Sequence, residues 1–193
     1  PYPPPEGGIH RNMLAIRENL LSAGHKCSII ATAKSSKIIP EPDVYHPRKP
    51  AELIKLLAKL KYDILHLHVG GDLTARVMSL VLACGVIGRG KNVLTVHSGG
   101  FAVSDEAKNA SRASSKGFIF RQFERIICVN PLLVDVFKRY GVKENKVRLI
   151  YPFIHKSPEK GVEIRPDLKT FAEKSSPFLL TVGLLEDTYD LFM

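Results

Sequence analysis

The sequence predicts an α/β fold built on a doubly wound parallel sheet, and three observations predict it. Short apolar runs without helical period alternate with segments whose apolar residues recur every three or four positions. Turn and cap residues (Gly24, Pro50, Gly85, Asn130-Pro131, Gly141) stand at the junctions. The chain has 193 residues, 45% of them hydrophobic, enough to bury a core without disulfides or metals. Strand–helix alternation of this kind is satisfied by parallel strands with helices covering both faces, a Rossmann-like arrangement.

Each element has its own signal. Over residues 8–23, Ile9, Met13, Ile16 and Leu20 mark one helix face, and Gly24 follows as a stop. Residues 27–33 form an apolar run that reads as a buried strand. Pro50 opens a helix carrying Leu53, Ile54, Leu57 and Leu60, and residues 64–69 read as the next strand. Asp72 is placed to cap a helix bearing Leu73, Val77, Leu80, Val81 and Cys84 and ended by Gly85. Residues 93–97 read as a strand, 98–116 as a polar stretch rich in Ser and Lys, and 126–129 as a strand. Asn130 then caps a helix with Pro131 at its first position, with Leu132, Leu133, Val136, Phe137 and Tyr140 following and Gly141 ending it. Residues 147–150 read as a strand, 155–176 as a linker with one short helix, and 178–183 as a further strand.

The net charge is +9, from 28 Lys and Arg against 19 Asp and Glu. That balance suits an anionic partner, whether a phosphorylated small molecule, an anionic lipid surface or nucleic acid, and equally a plain basic surface. Cys27, Cys84 and Cys128 lie far apart in apolar runs with no CxxC pair, so they read as buried free thiols of a reducing compartment. No signal peptide or spanning segment is legible, and a soluble protein is expected. The chain opens with Pro1 rather than Met, and both ends read as the boundaries of a fragment.

Ligands of parallel open sheets bind beyond the carboxyl ends of the strands, so the loops there hold the candidate sites. Gly7 and Gly8 precede the first helix, where free N–H groups and the helix dipole favour a phosphate; a tight turn needing glycine is the alternative. His66 and His68 lie two apart on one face of a strand. No Cys, His or carboxylate set completes a metal site with them, so no metal is expected; one histidine is read as packed in the sheet and His68 as lining the cleft. His97 ends a strand and is followed by Ser98-Gly99-Gly100. Its imidazole can bind a sugar hydroxyl or phosphate, move a proton, or satisfy a backbone group. Ser98 lacks the GxSxG context of a hydrolase nucleophile. A basic stretch (Lys108, Arg112, Lys116, Arg121, Arg125) carries Phe118, Ile119, Phe120 and Phe123. It reads as a membrane-lying segment or as a solvated face whose aromatics enter the core. No Walker motif, zinc-finger spacing, GxGxxG or nucleic-acid module is present.

In order along the chain, these loops resemble the N-terminal domain of the retaining GT-B glycosyltransferases (family 4-like, group 1). Pro3-Pro4-Pro5-Glu6-Gly7-Gly8-Ile9 resembles the family's Pro-rich Gly-Gly loop, and Leu20 to Cys27 its "L…GHxV" turn. Tyr62 to His68 resembles "DvvHxH", Leu94 to Ser98 "xTxH", Ile127 to Asn130 "i..vS", and Val147 to Pro152 "v.vIpN". Leu180 to Gly183 is similar to the strand that opens the second domain. The resemblance implies an N-terminal acceptor-side domain over residues 1–154, a linker over 155–176 and the start of a donor-binding domain over 177–193. It also implies a first strand upstream of Pro1. Gly7 and Gly8 would face the donor diphosphate, His97 the donor sugar, and His68 the acceptor side, with Ser98, Gly99 and Gly100 beside the substrate.

Three departures stand out. Leu184 and Leu185 follow Gly183, and no Lys or Arg occurs from there to Met193, where the family carries its diphosphate clamp. Asn130 replaces the usual Ser, and Phe153 the usual Asn. The activity implied is transfer of a sugar from a nucleoside diphosphate sugar to an acceptor hydroxyl with retention, this fragment alone being inactive. No cofactor is expected beyond the nucleotide sugar as donor substrate. The expected partners are that donor, a glycan or glycolipid acceptor and a peripheral membrane contact, with no nucleic acid; the expected location is the cytoplasm, including the inner face of the membrane. Two alternatives stay open: a nucleotide-sugar epimerase of similar architecture, and a non-catalytic sugar- or phosphate-binding module that has lost its clamp.

Overall fold

The computed structural model describes residues 7–32, 40–152 and 163–175. The chain divides into two compact units, Pro1–His155 and Lys156–Met193. The first unit holds α1 (Gly8–Ser22), β1 (Ile29–Ile30), β2 (Val44–Tyr45), α2 (Pro50–Lys59), β3 (Ile64–Val69), α3 (Ala75–Ile87) and β4 (Lys91–Val96). After these come the short helices α4 (Gly99–Val103), α5 (Asp105–Lys108) and α6 (Ser115–Phe120), then β5 (Arg125–Cys128), α7 (Pro131–Arg139) and β6 (Val147–Leu149).

Among the described residues every strand pairing is parallel: β1 with β2, and a four-stranded sheet in the order β3-β4-β5-β6. Crossovers between parallel neighbours take one hand as a rule, and α3, α6 and α7 contribute to one core on one face of the sheet, with α3 packed on α6 and α4 on α7. Leu94, Val96, Ile126, Cys128 and Val147 turn to this face and bury against Val81, Cys84, Phe120, Phe123, Leu133, Val136 and Phe137. The opposite side is covered at β1. Ile29 and Ala31 pack against Met13 and Leu14 of α1, while Ile30, one residue out of phase, joins the main core. Helices on both sides of parallel strands make the Rossmann-like α/β arrangement that the alternation predicts.

The details differ from expectation in instructive places. Thr74, not Asp72, caps α3, its Oγ1 accepting the Val77 N–H at 3.4 Å. The helix runs through Gly85 to Ile87, because Gly85 is a close-approach point rather than a stop: an added Cβ would lie 3.1 Å from Phe123 Cε2 and 3.2 Å from Gln122 Cβ. β2 went unpredicted, since two residues leave no period to read. The polar stretch contains short helices, and three of its serines are their caps. The Oγ atoms of Ser98, Ser104 and Ser114 accept the N–H groups of Phe101, Ala107 and Gly117 at 3.1, 3.2 and 3.1 Å.

The basic stretch sends Ile119, Phe120 and Phe123 into the core and leaves Phe118 exposed. Two of its cations serve carbonyls. Arg121 donates to Arg112 O at 2.8 Å and to Tyr140 O at 3.0 Å, and Lys116 donates to Leu73 O at 2.9 Å while pairing with Glu106. Of the cysteines, Cys84 and Cys128 are buried and Cys27 is only partly so. Burial pushes the two buried thiols up to about 11 and about 12, so they stay protonated.

In the second unit the described residues form α8 (Pro166–Lys174), the short helix expected in the linker, and none of its residues is buried. The strand expected over 178–183, the Pro-rich residues 3–6 and Phe153 lie outside the described residues. Among the described residues, no helix is long and apolar enough to cross a membrane.

α1 and α7 both end in a Schellman arrangement. Gly24 (φ 82°) and Gly141 (φ 79°) occupy the left-handed position, and His25 N–H and Val142 N–H reach back to Leu20 O and Phe137 O at 2.9 and 3.1 Å. Nothing lies within 4 Å of an added Cβ at Gly24, whereas at Gly141 it would meet Arg112 Cγ at 2.6 Å. Gly24→Ala should therefore cost about 1 kcal/mol, the strain alone, and Gly141→Ala measurably more. Urea denaturation reads both, and equal losses would show that Arg112 yields freely.

Candidate functional site

The carboxyl ends of β3 and β4 are populated by the β3 sequence His66-Leu67-His68 and by Thr95-Val96-His97 around the end of β4. Alternation sends Leu67 and Val96 to the core, which turns His66, His68, Thr95 and His97 to the other face. Register then decides which of them meet. His66 lies opposite Val93 and His68 opposite Thr95, so each histidine is diagonal to the residue two further along β4. Both diagonals are closed by hydrogen bonds: His66 Nε2 to Thr95 Oγ1 at 2.7 Å, and His68 Nδ1 to His97 Nε2 at 3.0 Å. The rings follow one another across the face, with centroids 4.1 Å apart between His66 and His68 and 5.3 Å between His68 and the stacked His97.

The start of α1 lies against this group. Gly70 is on the histidine face, one residue past β3, and an added Cβ there would meet Ile9 Cδ1 at 2.4 Å and His97 Cβ at 3.7 Å. Ile9 is the second residue of α1, so the helix start and its glycines reach the same corner as His97. His97 itself lies one residue beyond β4, its backbone N–H donating to Val69 O at 2.8 Å.

Gly7 and Gly8 are exposed, neither has positive φ, and no atom lies within 4 Å of an added Cβ at either. Gly7 is extended, with φ −164°. The backbone conformation therefore does not require glycine at this turn. Gly99 and Gly100 are exposed, with the same open space. Ser98 is different: it is buried, and its hydroxyl is engaged as the α4 cap. The structure thus brings together His68, His97, Gly70 and the start of α1, while Ser98 turns inward. Thr95 and Gly70 were not singled out from sequence. The spacing Thr95-x-His97, matched to His66-x-His68, signals Thr95, and Gly70 continues the two-residue step beyond His68.

Burial pushes the histidines down, to about 4 at His66 and, with the help of the neighbouring rings, to about 3 at His68. His97 is lowered by burial as well. All three are shifted towards the neutral form, so these rings offer N–H donors and lone pairs rather than positive charge. Among the described residues, no group of three or more His, Cys, Asp or Glu is arranged to hold a metal ion.

The sequence matches the family described as Glycosyltransferase Family 4 over residues 6–157. No curated protein and no solved structure gives a match.

Because the folded chain disfavours the protonated rings, the unfolded chain binds more protons below about pH 6.5. Stability therefore falls as pH drops from 6.5 towards about 4. Replacing His66 with Gln and His68 with Asn should flatten the dependence of unfolding free energy on pH between 6.5 and about 5, above the carboxylate range. A slope as steep as that of the wild type would place the acid sensitivity elsewhere.

Proposed function

This chain belongs to glycosyltransferase family 4, and from that premise we propose that it serves transfer of a sugar from a nucleoside diphosphate sugar to an acceptor hydroxyl, with retention at the anomeric carbon. The observation that carries the proposal is the corner at the carboxyl ends of β3 and β4, where neutral His97 stands beside the start of α1. In this reading the first N–H groups of the 15-residue α1, with Gly7 and Gly8 leaving the approach open, face the donor diphosphate. His97 meets the donor sugar, the Gly99-Gly100 turn borders the substrate, and Ser98 supports that turn through its cap.

Loss of the diphosphate requires positive charge at the departing oxygen, and helix N-termini and basic side chains supply it without a metal or other cofactor. Residues 1–154 act as the acceptor-side domain, 155–176 as linker and 177–193 as the start of the donor-side domain. The acceptor is a glycan or glycolipid, and the protein works in the cytoplasm with peripheral contact at the inner face of the membrane.

The test is turnover of a panel of nucleotide sugars by the intact protein, scored by released nucleoside diphosphate. One donor should be consumed, and His97→Ala should lower kcat/KM by about 10²-fold or more. Unchanged turnover in that variant would remove His97 from the chemistry. Silence across the panel, from folded protein that binds no nucleotide, would favour a sugar- or phosphate-binding module.

A further inference from the structure

We propose that His68 is the positioning residue of His97: by occupying Nε2 it holds the ring in one tautomer and one orientation and leaves Nδ1 as the atom that meets substrate. The inference deepens the reading of His97 as a substrate contact and rests on it. It assigns His68 a different task from bordering the acceptor.

The geometry supports a chain of fixation. Thr95 is buried within β4, and its hydroxyl anchors His66 at 2.7 Å. The His66 ring lies 4.1 Å from that of His68 at 34°, and the His68 ring 5.3 Å from that of His97 at 26°. His68 is therefore held by the His66 ring on one side and by His97 on the other. His97 is restrained further by its N–H bond to Val69 O at 2.8 Å and by the closeness of Gly70 to its Cβ. Among the described residues, nothing hydrogen-bonds Nδ1 of His97.

Two neutral imidazoles sharing one hydrogen bond cannot choose tautomers independently, because one nitrogen must carry the proton and the other must not. The tautomer of His97 is thereby tied to that of His68: its Nδ1 is a donor when His68 donates to Nε2 and an acceptor when His97 donates. A free imidazole at this position would exchange between tautomers and swing about χ2, so that only part of its population would present the right atom. Buried partners that set the tautomer of a working histidine act in this way at metal and catalytic centres. The partner here is a second histidine, admitted by a sheet face on which neither ring is charged.

The test has two arms. Nitrogen-resolved NMR of the histidine rings in the intact protein at neutral pH should show His97 as one tautomer. That pattern should collapse to an exchange average in His68→Leu and persist in His68→Asn, whose amide can fill the place of Nδ1. An averaged His97 in the wild type, or one unmoved by His68→Leu, overturns the proposal, and this arm needs no donor or turnover. In the second arm, on whichever nucleotide sugar the wild type consumes, His68→Leu should lower kcat about 10-fold to 10²-fold with KM little changed, and His68→Asn should restore most of it. A rise confined to acceptor KM, without rescue by Asn, would make His68 an acceptor contact and overturn the proposal. A wild type that consumes no nucleotide sugar yet shows the His68-dependent tautomer would sink the proposed reaction and leave the positioning role intact.

Discussion

The register between β3 and β4 is the constraint on which the rest of the site depends. It pairs Ile64 with Lys91 through to Val69 with Val96, and hydrophobic burial fixes it. Leu94 and Val96 are fully buried and Val69 nearly so, with Leu65 and Leu67 packed against the same core. A slip of one residue would turn three apolar side chains of β3 out and drive His66 and His68 into that core. Each would then need a partner or lose a few kcal/mol to desolvation. The core face thus holds the polar face in place. The two diagonal hydrogen bonds are consequences of that register, and they add geometry to it more than stability.

The remainder of the domain braces this pair of strands. The main chain leaves β4 at His97 and returns at Arg125, and the segment between is too polar to fold on apolar burial alone. It is held at its helix starts by three serine caps and at its far ends by long cations. Lys116, Arg121 and Arg139 reach carbonyls of Leu73, Tyr140 and Ala107 at 2.9 to 3.0 Å. Phe120 stacks edge-on against Phe137 at 5.0 Å and tilts against Tyr140 at 5.2 Å, locking the segment onto α7. The chain thus leaves the site, is clamped on the core face, and delivers β5 beside β4, where Thr95 pairs with Ile127.

What was legible in the sequence follows from what is local. α7 could be read almost to the residue, because Asn130, Pro131 and Gly141 each act within one turn of the chain. β3 was read to its limits because Asp63 and Gly70 bracket an unbroken apolar and histidine run. The end of α3 was misread because the constraint on Gly85 is tertiary: it lies against Phe123, which a local stop signal does not reveal. The serines at 98, 104 and 114 were visible, but helices of four to six residues have too little period to claim them as caps. At the site, His68 and His97 could each be singled out as strand-end histidines. That they touch depends on register, which comes from the whole sheet. The same limit hid Thr95 and Gly70, since neither residue type carries chemistry until its neighbour across the strand is known.

The electrostatics of the histidine face bear on the proposed reaction in a way that the net charge of +9 does not. Several of the described cations are engaged away from it: Lys116, Arg121, Arg139 and Lys146 with main-chain carbonyls, and Arg17 with Glu41 and Pro42 O. The histidines meanwhile are kept neutral by burial, His68 most strongly. A sugar that loses its diphosphate passes through a state with positive charge on the ring, as in glycoside cleavage. An imidazolium beside that centre would repel it, whereas a neutral imidazole can hydrogen-bond a hydroxyl and add no charge. In the proposed reading the positive counterpart for the departing diphosphate lies at the start of α1, where backbone N–H groups and the helix dipole would provide it without a titratable proton. Under the proposed reading, the separation of a neutral histidine pair from a helix N-terminus at one corner of the sheet sorts the two charges of the transition state to opposite sides of the bond that breaks.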